Sequence, residues 1–382
     1  MLRRILALAA CFIAWAAPAS AQFATKAKYA LVMDVETKAV LFEKDADALM
    51  APASMSKLMT LAVLFRHLKD GKLRLDQEFI ASEYAWRTGG APSGGAAMFV
   101  PLNSPVKLEE LLPGIIVQSG NDACIIAAEG VAGTEDAFAQ VMNDYARKIG
   151  LTRSNFANST GLPHPQHRVT ARELALLAVH IIKEFPEYYY LFKMREFKYR
   201  KHNFFNRNPL IYLTIGADGL KTGHTEESGY GLVASAEKDG RRVIVVLNGL
   251  PNANERKEEA IKMIQWGFSS FKPQPLFEAG EIVGDARVWG GDKRFVQLRG
   301  GEGAVKALLP ITAKDKPEMR IVYQGPLKPP IKAGDQVAEL VVTAEGGVRN
   351  AIPLYAAEDV EKGGVVAQGL DSLLILAFGW LL

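Results

Sequence analysis

The chain has 382 residues, 49% of them apolar and 23% charged, which suits two or three domains with a sizeable core and excludes collagen-like, coiled-coil and disordered chains. A net charge of +3, from 45 basic against 42 acidic residues with no basic block interleaved with aromatics, argues against nucleic acid as a partner. Two cysteines, Cys11 and Cys124, are too few for a disulfide framework or a zinc site, and no HExxH-like spacing occurs, so neither metal nor cofactor is expected.

In chain order, Arg3 and Arg4 precede an apolar run from Ile5 to Ala17, then Pro18 and the triplet Ala19-Ser20-Ala21. This pattern reads as a secretory leader over residues 1–21, too short in its apolar part to span a bilayer. Alternating residues at 29–33 and 39–42 predict a hairpin. From Ser54 the stripe Leu58, Leu61, Ala62, Phe65 and Leu68 predicts a helix closed by Gly71. Helices are expected at 106–117, 122–131 and 134–149, with Cys124 as a core residue. Thr170-Ala171-Arg172-Glu173 reads as a capping box opening a helix to about 183. Strands follow at 219–224, 230–236 and 242–247, then a helix at 255–268. His164 and His167 lie in a proline-containing loop and read as loop residues.

At Lys272-Pro273-Gln274-Pro275 the character changes, and a proline linker is expected to open a small all-β domain over 276–362 of short alternating runs. The first domain, 22–272, is mixed. Beyond Gly363-Gly364, Asp371 is the one charge in 370–382, a segment that ends on Trp380-Leu381-Leu382. Too short to cross a bilayer and apolar on nearly every face, the stretch 366–382 reads as a helix lying in a membrane interface, with Trp380 at headgroup level.

Ser54-Met55-Ser56-Lys57 has the form S-x-x-K, which on a helix brings a weak nucleophile and an amine base onto one face. The pattern also begins at Ser104, Ser235 and Ser269. Those three have plainer readings: an N-cap ahead of Pro105, a strand end, and a helix end before the prolines. Ser54 stands apart through Ser119-Gly120-Asn121, the one S-x-N, and Lys221-Thr222-Gly223, the one K-T-G, in the order found in serine β-lactamases and penicillin-binding proteins.

With the surrounding Pro52–Thr60, Ser119–Ala123, Asn158–Leu162 and Asp218–Thr225 stretches, the chain resembles the D-alanyl-D-alanine carboxypeptidases, low-molecular-mass penicillin-binding proteins. The resemblance implies an α+β fold: a β-lactamase/transpeptidase-like domain whose five-stranded antiparallel sheet is flanked by helices, followed by the β domain. It implies that Ser54 attacks the D-Ala-D-Ala peptide bond of a peptidoglycan stem peptide, that Lys57 takes the serine proton, and that burial and Lys221 depress the lysine's pKa. Ser119 would relay a proton to the leaving amine, Asn121 would bind Lys57 and substrate, and Lys221 would hold Ser119 and the substrate carboxylate. Thr222 and Thr225 would offer hydroxyls. Gly223 would leave room for substrate along the strand, and the N–H groups of Ser54 and His224 would form an oxyanion hole. Arg256, or Arg207 in Asn206-Arg207-Asn208, would take the substrate carboxylate.

The resemblance further implies covalent inhibition by β-lactams, periplasmic location and attachment to the inner membrane through the C-terminus. A serine β-lactamase is the nearest rival, but no glutamate between the second and third motifs has asparagine four residues on. DD-endopeptidase activity and a non-catalytic peptidoglycan-binding role stay open beside it.

Overall fold

The computed structural model describes residues 23–364, so the leader (1–21) and the terminal helix (366–382) lie outside the described residues. The first part contains, in order, β1 (Tyr29–Asp34), β2 (Val40–Lys44), α1 (Lys57–Lys69), β3 (Glu78–Ile80), α2 (Glu83–Gly89) and β4 (Pro105–Lys107). It continues with α3 (Leu108–Pro113), α4 (Asn121–Ala132), α5 (Glu135–Lys148), α6 (Ala171–Glu184), β5 (Glu196–Tyr199) and β6 (His202–Phe205). It closes with β7 (Ala217–Thr225), β8 (Gly229–Lys238), β9 (Arg241–Leu250) and α7 (Ala253–Ser269). Strands β2-β1-β9-β8-β7 form the expected five-stranded antiparallel sheet, with β7 at its edge.

The strands of this sheet read as near-continuous apolar runs because both faces are covered. Along β9, Ile244 and Val246 point into a core shared with α1, α4, α5 and α6, while Val243, Val245 and Leu247 point to the other face, where α7 adds Ala260, Met263 and Ile264. Each such Val or Ile contributes roughly 1.5–3 kcal/mol by leaving water. Helix α4 is apolar on every side, and Asn121 through Ala128 are all buried, Cys124 among them.

Several local readings need correction. The stretch 106–117 is not one helix: β4 runs to Lys107, α3 ends at Pro113, and a π-turn covers Gly114–Gln118. Ser104 therefore caps no helix; its Oγ donates to the Pro101 carbonyl, 2.7 Å away, and Pro105 opens a strand. The capping box is half formed. Thr170 Oγ1 accepts from Glu173 N at 3.1 Å, but the Glu173 carboxylate turns away to Arg153 N at 2.9 Å and Ser154 N at 2.7 Å. Ser235 lies inside β8, fully buried, and not at its end.

The second part is all β: β10 (Phe271–Phe277), β11 (Ile282–Arg287), β12 (Phe295–Arg299), β13 (Val305–Pro310), β14 (Glu318–Val322), β15 (Gln336–Thr343) and β16 (Arg349–Ala356). The expected proline linker is strand β10, paired antiparallel with β13. Prolines two residues apart aim their missing donors at the same edge, and β10 pairs on one edge alone, so Pro273 and Pro275 are tolerated. Strand β16 meets β2 through Arg349 and Val40. The apolar cluster on the α7 face continues into this part through Phe271, Val288, Leu308 and Leu340. Among the described residues, no helix is long and apolar enough to cross a membrane.

Candidate active site

The turn that carries Ser54 is tightly made. Pro52 opens a 3-10 turn over Ala53–Ser56 that runs directly into α1, and Ala53 holds a left-handed φ of 46°. A non-glycine residue in that region is strained, and such strain persists where the surroundings over-determine it. Here Ser56 Oγ donates to the Ala53 carbonyl at 3.0 Å, and Gly161, at φ +79°, lies so close that a Cβ there would sit 2.0 Å from the same oxygen. Ser54 is half-buried and Lys57, one turn on, is fully buried.

Ser119 is held at φ 64° where the π-turn ends, and Asn121 opens α4 two residues later. Asp122 anchors the facing loop by accepting Met98 N at 2.7 Å and Val100 N at 3.1 Å. The third wall is edge strand β7, which presents Lys221, Thr222, Gly223, His224 and Thr225. Gly223 is needed for a reason other than the one expected. A Cβ at 223 would lie 2.9 Å from the Pro52 carbonyl and 3.2 Å from Ala53 Cβ, so glycine lets the strand close against the nucleophile turn.

Lys57 Nζ lies 2.8 Å from Ser54 Oγ, 2.8 Å from Asn121 Oδ1 and in hydrogen-bond contact with the Thr160 carbonyl. Two of these partners only accept. A neutral amine has two N–H groups and one lone pair; with both N–H groups committed to Asn121 Oδ1 and Thr160 O, the lone pair is left to face the Ser54 hydroxyl. Lys221 Nζ donates to Ser119 Oγ at 3.0 Å and to the Thr222 carbonyl at 3.1 Å.

Burial pushes Lys57 down to about 8, with Arg207 lowering it further and the Glu135 and Asp122 carboxylates opposing. Lys221 is pushed well below the ordinary lysine value by burial first and by the charge of Lys57 second. A proton on Lys57 therefore disfavours one on Lys221, whereas the cation that lowers Lys57 beyond burial is Arg207 and not the expected Lys221. Burial also pushes the Cys124 thiol up to about 12, so it is uncharged and inert at neutral pH.

Ser54, Ser119, Asn121, Thr222, Gly223, His224, Thr225, Arg207 and Arg256 line one open cleft of about 500 Å³, with the buried Lys57 and Lys221 reaching it through Ser54 and Ser119. Arg256, on α7, lies 5.6 Å over the Tyr230 ring; it is 9% exposed and its Nε has no partner. Arg207, just after β6, is solvent-exposed on the cleft wall. His224 stacks on Tyr230, with ring centroids 3.8 Å apart.

Sequence reasoning assigns no role to Thr160 and Gly161, although their stretch is one of those that carry the resemblance. Thr160 acts through its backbone carbonyl, which no side-chain type announces. His167 is a buried residue against Phe156, both ring nitrogens unpartnered, and burial pushes it down to about 3.

Residues 16–251 match the D-alanyl-D-alanine carboxypeptidase (peptidase S11) family, and residues 271–362 match the C-terminal domain of penicillin-binding protein 5. The chain is 35% identical over 352 residues to the D-alanyl-D-alanine carboxypeptidase DacC of Escherichia coli, covering 92% of this chain and 88% of that one. It is 32% identical over 354 residues to the D-alanyl-D-alanine carboxypeptidase DacF of Bacillus subtilis, covering 91% and 89%. The crystal structure of penicillin-binding protein 5 from Haemophilus influenzae superposes with a TM-score of 0.74 at 33% identity, over 89% of this chain and 98% of that one. Penicillin-binding protein D2 from Listeria monocytogenes, solved in its ampicillin-bound form, superposes with a TM-score of 0.56 at 27% identity, over 65% of this chain and 99% of that one. A serine and a lysine one turn apart beside an edge strand, and a match over most of the chain, lead to one conclusion: the chain is a serine peptidase of the S11 family of D-alanyl-D-alanine carboxypeptidases.

Proposed function

We propose that the protein removes the terminal D-alanine from peptidoglycan stem peptides through an acyl-enzyme on Ser54. Neutral Lys57 takes the Ser54 proton as Oγ bonds to the carbonyl carbon of the D-Ala-D-Ala bond. The tetrahedral oxyanion is met by the N–H groups of Ser54 and His224. The C–N bond then breaks, and the proton passes through Lys57 and Ser119 to the leaving amine. Water hydrolyses the ester and restores Ser54. The observation that carries this reading is the acceptor-only pair on Lys57, which reserves its lone pair for Ser54.

The substrate's terminal carboxylate explains two costly features. Arg256 is a largely buried guanidinium lining the cleft with its Nε unpaired, and Lys221 is buried within the field of a second amine, Lys57. An anion arriving there compensates both. β-Lactams would acylate the same serine. Among the described residues, no aspartate or glutamate lines the cleft to activate a deacylating water, which favours a long-lived penicilloyl adduct over β-lactamase turnover. The leader and the apolar tail support export to the periplasm and attachment to the membrane surface.

Incubation with a pentapeptide ending in D-Ala-D-Ala should release free D-alanine, and penicillin should add its full mass to the intact protein. Ser54→Ala should lose both signals; D-alanine release at the wild-type rate by that variant refutes the proposal.

A further inference from the structure

One of the two acceptors of Lys57 is the Thr160 backbone carbonyl, and a carbonyl must be held in place by something. Ser159 and Thr160 lie outside any helix or strand, in the segment between α5 and α6. Ser159 is pinned from two sides. Thr60 on α1, three residues after Lys57, donates its hydroxyl to the Ser159 carbonyl at 2.7 Å. From the other side, Glu135 Oε1 accepts Ser159 N at 3.0 Å and Ser159 Oγ at 2.6 Å. The second oxygen of Glu135 accepts the Tyr84 hydroxyl at 2.9 Å.

Glu135 is 7% exposed, in the first turn of α5. No cation pairs with it: its partners among the described residues are a backbone N–H and two hydroxyls. A buried carboxylate costs several kcal/mol unless it is compensated, and helix-terminal dipoles and neutral donors compensate only part. A neutral side chain could pin Ser159 just as well, so the charge needs a separate reason. That reason is the amine on the far side of Ser159–Thr160. Around Lys57 the charged and titratable groups are Lys221 on β7, Arg207 after β6, His167, Cys124 and Asp122 on α4, and Glu135 on α5. Asp122 and Glu135 are the acidic members, and Asp122 is committed to the backbone of Met98 and Val100. Against two cations, Glu135 is the anion tied by hydrogen bonds to the lysine's own acceptor loop.

We infer that Glu135 is a positioning residue for Lys57: its carboxylate fixes the Ser159–Thr160 backbone that holds one N–H of the lysine, and its buried charge partly offsets the loss of water around the amine. This rests on the reading of Lys57 as the base. It assigns Glu135 no contact with substrate.

The two parts separate in two substitutions. Glu135→Gln keeps an oxygen for Ser159 and offers its amide to the Tyr84 oxygen, so geometry is retained while the charge is lost. The second-order rate of penicillin acylation should then keep its plateau, and its acid limb should move to lower pH by on the order of half a unit or more. Glu135→Ala removes the pin as well, and the plateau should fall on the order of tenfold. Ser159→Ala, which leaves Glu135 in place, should lower the plateau without moving the limb, and it keeps the test usable if Glu135→Ala fails to fold. An unmoved or upward-moved limb in Glu135→Gln overturns the charge assignment. A wild-type plateau in both alanine variants overturns the positioning role. Lys57→Gln isolates the underlying premise: if it is still acylated at the wild-type rate, the base reading itself is wrong, whereas its loss beside an unmoved Glu135→Gln limb defeats this inference alone.

Discussion

Across the described residues 271–364, Asn350 is the one buried polar side chain, and it is fully matched: Leu308 N donates to its Oδ1 at 2.8 Å and its Nδ2 donates to the Leu308 carbonyl at 3.0 Å. The catalytic part buries Lys57, Lys221, Asp122, Glu135, Glu173, His167 and Arg256, and leaves His167 and Arg256 Nε without partners. Backbone strain divides the same way. Among the described residues, every non-glycine position with a left-handed φ, Ala53 and Ser119 included, falls at or before Asp239. The smaller, β part satisfies its buried polar side chain; the larger, catalytic part keeps the unsatisfied groups and the left-handed turns, those of Ala53 and Ser119 beside the cleft among them. Stability is given up locally in the part that carries the cleft.

Breaking the pair of buried amines should have the largest effect on that contrast. Lys57→Met should slow penicillin acylation by at least ~10³-fold. It should also change how stability depends on pH. The folded value of about 8 lies below the ordinary 10.5, so between these the unfolded chain binds more protons and wild-type stability rises with pH. Denaturant titrations should find the wild type gaining roughly 3 kcal/mol on Lys57→Met across that window.

Glycine substitutions sharpen the comparison next. Gly161→Ala would place a Cβ 2.0 Å from the Ala53 oxygen at φ +79°, whereas a Cβ at Gly303 in the β part meets nothing within 4 Å. The first should cost about 4 kcal/mol and abolish acylation, and the second should leave both thermal melting and activity unchanged. His167 makes the catalytic part the acid-sensitive one. With its folded value near 3 against 6.5 unfolded, stability is lost as pH falls through that window. His167→Leu should therefore spare roughly 3 kcal/mol of the loss seen between pH 7.5 and pH 4 by chemical denaturation. Smallest of all, Asn350→Ala should cost about 1–3 kcal/mol by stranding Leu308, with D-alanine release unaltered.

Much of the architecture was readable because it is periodic. The stripe of α1, the runs of β7 to β9 and the alternation of β11 to β16 each follow from residue spacing. Readings failed where a local signal had a competing use. Pro113 and Gly114 break the 106–117 stretch into a short helix and a π-turn that sets Ser119, which apolar spacing alone does not show. Glu173 looked like half of a capping box because only the tertiary fold brings Arg153 and Ser154 to it. Pro273 and Pro275 looked like a linker because a free strand edge is not visible in a sequence.

The sequence by itself determined which groups could react. Three residues along a helix bring Ser54 and Lys57 to one face, whatever surrounds them, and K-T-G on an apolar run places Lys221 on a strand. Proton affinity is another matter, because it depends on how many water molecules are excluded and which dipoles replace them. That sum is over neighbours from α1, α4, α5, β7 and the Asn158–Leu162 loop, far apart in the chain. Only the folded structure could bury this one amine against the Thr160 carbonyl and Asn121 and so lower its proton affinity.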